Sequence, residues 1–207
     1  MKISGAMRKI FPLLLSALLF SNERAFAQKR ILILGDSLTE GMGVDEALTY
    51  PRVLEKKLRE RKKNVVIING GVSGSTTSSG LTRLKWHLKN KVDVLAIQLG
   101  ANDGLRGLDL NVSKKNLLEI IKVAEEKKIK VILLGVLMPP NYGKKYVSDF
   151  EKMYQDIASK KKLSFFKFIL KDVAGDPQYN LPDGIHPNEL GHQKIANNLI
   201  DFVEKNL

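Results

Sequence analysis

Four apolar residues, Ile31-Leu32-Ile33-Leu34, end abruptly in Gly35-Asp36-Ser37, so a buried strand stops where polar chemistry begins. The pattern recurs down the chain: Val65–Ile68, Val92–Leu99, Val131–Leu137 and Leu163–Leu170 are nearly all apolar. Strands with no polar face must be covered on both sides, which calls for a parallel sheet with helices above and below. The intervening segments supply those helices. Tyr50, Leu54 and Leu58 recur at helical spacing in a basic helix from about Pro51 to Lys62. Leu81, Leu84 and Leu88 face inward in a helix from Thr77 to Asn90, and Ser113 is placed to cap a helix running through Ala124. Another helix is expected between Tyr146 and Lys160, and Pro187 starts a last one carrying Leu190, Ile195, Leu199 and Val203. The expected fold is α/β: three layers around a five-stranded, mostly parallel sheet. Ser37 then lies on the loop leaving the first strand, at the sheet edge where ligands bind in such folds.

Residues 1–27 read differently. Lys2, Arg8 and Lys9 precede the apolar run Ile10–Phe20, and Ala25-Phe26-Ala27 is a small-x-small site. That is the grammar of a secretory signal peptide cleaved before Gln28, and a run of eleven residues containing Pro12 falls short of the ~20 a membrane span needs. Residues 28–207 are then one exported, periplasmic domain. The leader accounts for three of the net +12, leaving +9 on residues 28–207.

The chain has no cysteine and three histidines, which removes thiol catalysis and makes a multi-histidine metal centre improbable. No metal or cofactor is expected. Neither Gly-x-Gly-x-x-Gly nor Gly-x-x-x-x-Gly-Lys-Ser/Thr occurs. The basic runs Lys56–Lys63 and Lys160–Lys162 read as solvated helix faces or as attraction to an anionic surface. They lack the motifs and aromatic interleaving of nucleic-acid binding. A transient contact with an anionic membrane surface and a monomeric state are expected.

Five words carry the chemistry: Gly-Asp-Ser-Leu-Thr-Glu-Gly41, Gly-Val-Ser-Gly74, Gly-Ala-Asn-Asp-Gly-Leu-Arg-Gly107, Pro-Pro-Asn-Tyr-Gly143 and Asp-Gly-Ile-His-Pro187. In this order they resemble the sequence blocks of the GDSL lipases and esterases, the SGNH hydrolase superfamily. The resemblance spans residues 28–207 and is greatest to the superfamily's multifunctional thioesterases, arylesterases and lysophospholipases. It implies a flavodoxin-like sheet and assigns Ser37 as nucleophile, His186 as general base and then acid, and Asp183 as the carboxylate that orients it. It also implies an oxyanion hole from the backbone N–H of Ser37, that of Gly74 and the side-chain amide of Asn102. Asp36 and Asp103 are expected to hold the site loops by accepting hydrogen bonds; His87 and His192 are expected to be surface or helix-packing histidines. Ser75 departs from the pattern, since relatives commonly carry Asp there, and leaves open how the Gly74 loop is braced.

By the same resemblance, Gly104–Leu110 and Pro139–Tyr146 border the acyl site, with Leu105, Leu108 and Tyr142 against substrate; the leucines serve equally well as caps on the core. The implied activity is hydrolysis of short- to medium-chain acyl esters and thioesters, lysophospholipids included. Two other readings stand beside it: a carbohydrate O-acetylesterase, and a non-catalytic binder of anionic lipid or glycan using the basic surface.

Overall fold

The computed structural model describes residues 27–207, so the signal-peptide reading lies outside the described residues. Five parallel strands form one sheet: β1 (Lys29–Gly35), β2 (Val65–Gly71), β3 (Val94–Gln98), β4 (Lys130–Leu134) and β5 (Ser164–Phe166), in the order β2-β1-β3-β4-β5. The central β3, Val-Leu-Ala-Ile-Gln, is buried at every position, as a strand covered on both faces must be.

Among the described residues seven α-helices surround the sheet: α1 (Ser37–Glu40), α2 (Tyr50–Glu60), α3 (Thr77–His87), α4 (Ala101–Leu105), α5 (Leu110–Glu126), α6 (Lys144–Lys161) and α7 (Glu189–Glu204). α2 packs against α7, while α3, α5 and α6 pack side by side, giving the expected three layers. Tyr50, Leu54 and Leu58 are fully buried, and side chains of this size contribute about 1.5–3 kcal/mol each on burial.

The structure corrects four local expectations. Ser37 is not on an open loop but opens α1, because the buried Asp36 accepts a hydrogen bond from Leu38 N at 3.1 Å and caps the turn. Asp109, not Ser113, caps α5; Ser113 is buried, and its hydroxyl donates to Asp103. α7 begins after Asn188, whose side chain accepts from Gly191 N, so Pro187 precedes the helix. β5 is three residues long: after Gly135 N donates to Phe166 O, the chain turns and Ile169 N bonds back to Gly135 O.

His192 is buried on α7, its Nδ1 accepting from Tyr50 N at 3.1 Å and its ring stacked on Tyr50. Burial pushes its pKa down to about 4 from 6.5. The unfolded state therefore binds more protons between these pH values, and roughly 3 kcal/mol of stability is lost as pH falls from 6.5 to 4. Burial pushes Asp36 the other way, up to about 6, so its contribution is lost as pH rises from 4 to 6 and opposes the His192 slope. In His192→Asn, which keeps an acceptor for Tyr50 N, the stability deficit relative to wild type at pH 7 should shrink by roughly 3 kcal/mol at pH 4. Urea unfolding at the two pH values measures it; a constant deficit contradicts a buried neutral imidazole.

Candidate active site

The site is assembled at the carboxyl edge of the sheet. α1 lies directly against the end of β2: a Cβ at Gly71 would collide with the backbone nitrogen of Glu40, so only glycine permits this approach. Beneath α1, Thr39 Oγ1 donates to Gln98 Oε1 at 2.8 Å and meets Tyr50 OH at 2.7 Å, and Asp36 N donates to the same Gln98 oxygen at 3.4 Å. All four side chains are buried, so Ser37 stands on a rigid polar floor.

His186 Nε2 lies 3.0 Å from Ser37 Oγ, and its Nδ1 lies 2.7 Å from Asp183 Oδ2. The second Asp183 oxygen accepts from Ile185 N at 2.9 Å and His186 N at 3.0 Å. The donors from His186 come first among the causes that hold this carboxyl down to about 2, so it is ionised across the physiological range. The loop is pinned where Leu181 N donates to His186 O at 2.7 Å and Asn180 pairs with Pro187. Residues distant in the chain are thereby joined into one line: carboxylate, imidazole, hydroxyl.

The Gly74 loop is braced without a carboxylate at position 75. Ser75 N donates to Val72 O at 3.1 Å, and the amide and hydroxyl of Ser73 both donate to Glu40 Oε2. Gly74 takes a positive φ of 72°, and its carbonyl accepts from Arg106 Nη2 at 3.0 Å. Asp103 accepts from Thr77 N at 2.8 Å, Thr77 Oγ1 at 2.6 Å and Ser113 Oγ at 2.9 Å. That single buried carboxylate ties α3, α4 and α5 together beside Asn102, the second residue of α4. As expected, Asp36 and Asp103 act as acceptors that hold the loops.

A cavity of about 650 Å³ opens here, and Ser37, Asn102 and His186 are on its lining. Leu105, Val136, Met138, Phe168, Leu170 and Ile185 supply apolar walls. Gly74 is outside the lining, and its carbonyl is held by Arg106, the residue that follows α4. Of the three expected substrate contacts only Leu105 lines the cavity. Leu108 is 41% exposed and is not on the lining; it follows Gly107, which takes a positive φ of 63°. Tyr142 reaches the wall only indirectly, its hydroxyl donating to Leu105 O at 3.1 Å. Walls from Val136 to Met138 and from Phe168 to Ala174 also line the cavity, and nothing in the sequence singles them out. Gln98 was missed too, although its signal was present: an amide near the end of an otherwise apolar run is a buried polar group needing partners. Among the described residues no group of three or more His, Cys, Asp or Glu side chains is arranged to hold a metal ion.

Such a line of groups can deprotonate a hydroxyl and accept an acyl group on it. The sequence pattern of the GDSL-like Lipase/Acylhydrolase family matches residues 33–194. The chain is 36% identical over 197 residues to the arylesterase of Vibrio mimicus, covering 94% of this chain and 96% of that one. It is 31% identical over 208 residues to thioesterase 1/protease 1/lysophospholipase L1 of Escherichia coli, covering all of this chain and 96% of that one. The crystal structure of TesA superposes with a TM-score of 0.83 at 32% identity, covering 86% of this chain and all of the other.

Proposed function

The chain belongs to the GDSL-like lipase/acylhydrolase family and is a carboxylic ester hydrolase, and from that premise we propose that Ser37, His186 and Asp183 are its catalytic triad. The observation that carries the reading is the unbroken chain from Asp183 through His186 to Ser37 Oγ beside an apolar cavity. Ser37 Oγ attacks the acyl carbon as its proton passes to His186 Nε2, and the carbonyl π electrons move onto oxygen. The N–H groups of Ser37 and Gly74 and the amide of Asn102 receive that oxyanion; one such donor contributes about 10²- to 10³-fold in kcat. Collapse breaks the bond to the leaving oxygen or sulfur, which takes the proton from Nε2. Water, deprotonated by the same nitrogen, then releases the acid and restores Ser37.

The substrates in this reading are esters and thioesters of short to medium acyl chains, including lysophospholipids. A cavity of about 650 Å³ with walls from Leu105 to Ile185 favours an acyl tail over acetyl alone, which sets this reading above a carbohydrate O-acetylesterase. The N-terminal leader favours export to the periplasm, and none of the described helices is long and apolar enough to cross a membrane.

Hydrolysis of p-nitrophenyl esters from acetate to palmitate tests the proposal. The expected kcat/KM peaks at an intermediate chain length. Leu105→Ala should lower kcat/KM on the best ester by about tenfold or more through lost apolar contact, whereas Leu108→Ala should leave the profile unchanged. Activity confined to the acetate ester would instead favour the O-acetylesterase.

A further inference from the structure

In a parallel sheet every strand starts at the same edge, opposite the site just described. Here each strand is entered through lysines. Lys62-Lys63 precede β2, Lys29-Arg30 begin β1, and Lys89 and Lys91 precede β3. Lys127, Lys128 and Lys130 lead into β4, and Lys160–Lys162 into β5. Backbone hydrogen bonds join neighbouring entries: Lys29 N to Asn64 O, Asp93 N to Arg30 O, and Lys130 N to Asp93 O. The clusters therefore stand in sheet order, in a row roughly 20 Å long at the usual spacing of strands.

Segments 29–30, 60–63, 89–93, 125–130 and 160–162 hold thirteen lysines and arginines against four carboxylates, Glu60, Asp93, Glu125 and Glu126. They carry the whole net +9 of residues 28–207, and the rest of that stretch is balanced. α7 brings Asp201 and Glu204 to this edge, where they pair with Arg61. Lys91 and Lys161 are likewise held by Asp93 and Glu125. Among the described residues Lys62, Lys128 and Lys162 enter no ion pair.

Helix dipoles favour cations at helix carboxyl ends and account for part of this charge. They do not account for Lys29, Lys91 and Lys130, which lie on or just before strands. Nor do they explain the backbone at Lys62, Lys128 and Lys162, with φ of 60°, 58° and 52°. That left-handed region favours glycine or asparagine, yet three separate helix–strand turns place lysine there.

We propose that this basic edge docks the enzyme on an anionic phospholipid surface, with the cavity mouth at the opposite edge facing the aqueous phase. The orientation rests on the site assigned above; the docking does not. A row of cations running across five strands complements an anionic surface in charge, and each lysine near such a surface strengthens binding about fivefold. The strands hold the mouth roughly 20 Å from the lipid, so substrates arrive from solution and not from the docked leaflet.

The test is co-sedimentation of residues 28–207 with vesicles of phosphatidylcholine alone or of equimolar phosphatidylcholine and phosphatidylglycerol. Binding is expected only to the second, weakening as KCl is raised. The variant Lys62→Asn/Lys128→Asn/Lys162→Asn, in which asparagine accepts the same backbone conformation, should bind on the order of a hundredfold more weakly. Vesicle-bound wild type should turn over a soluble p-nitrophenyl ester at the rate of the free enzyme. Equal binding to both vesicles, undiminished binding of the variant, or retention by a sulfated polysaccharide but not by anionic vesicles would overturn the lipid assignment. Loss of soluble-ester turnover on the vesicle would overturn the orientation. Sedimentation needs no activity, so its failure is distinct from failure of the esterase reading.

Discussion

Ser37→Ala is expected to lower kcat on the best p-nitrophenyl ester by about 10⁴- to 10⁶-fold, the range set by removing a serine nucleophile from a triad. The hydroxyl contributes little to the fold. The turn that carries it is closed by Asp36, and its floor by Thr39, Tyr50 and Gln98, none of which the substitution touches. Circular dichroism and the unfolding midpoint should therefore stay close to wild type while turnover falls to near background. Adding His186→Ala should cost almost nothing further, because base and nucleophile act as one unit. A tenfold loss with an additive second step would place the chemistry elsewhere.

Asp183→Asn should cost on the order of 10⁴-fold with the geometry preserved. Its remaining oxygen still accepts from Ile185 N and His186 N, so the loop keeps its shape. The new amide donates toward His186 Nδ1, which reverses the imidazole tautomer and leaves a hydrogen, not a lone pair, facing Ser37 Oγ. Steady-state kinetics of this variant separates roles: a loss below tenfold would make Asp183 a turn residue only.

The strands and their order of chemistry were legible because apolar runs ending in Gly-Asp-Ser, Asn-Gly-Gly and Gly-Ala-Asn-Asp mark where burial stops. The positions of Ser37, Asn102, Asp183 and His186, at the end of an apolar run or in a tight turn, were legible the same way; the roles proposed for them come from the resemblance to the family's sequence blocks. Helix starts were less so. Asp109 and Ser113 are both good caps four residues apart, and burial of Ser113 against Asp103 decided between them. The cavity walls were illegible because Val136, Phe168 and Leu170 look like ordinary core residues; only the turn after β5 brings the last two to the cavity. Leu108, off the cavity lining and exposed, is indistinguishable in the sequence from Leu105, which is on it. The basic edge was visible as scattered lysine runs, and only the parallel register gathered them into one row.

Ser37 as nucleophile is tested most directly by intact-mass analysis of residues 28–207 after treatment with an alkyl fluorophosphonate, followed by peptide mapping. An activated serine displaces fluoride and keeps the phosphonyl group. A single adduct is expected, located on Ser37, formed in step with loss of ester hydrolysis and absent from Ser37→Ala. A folded, esterolytic wild type that stays unlabelled, or one labelled on another residue, would contradict that role.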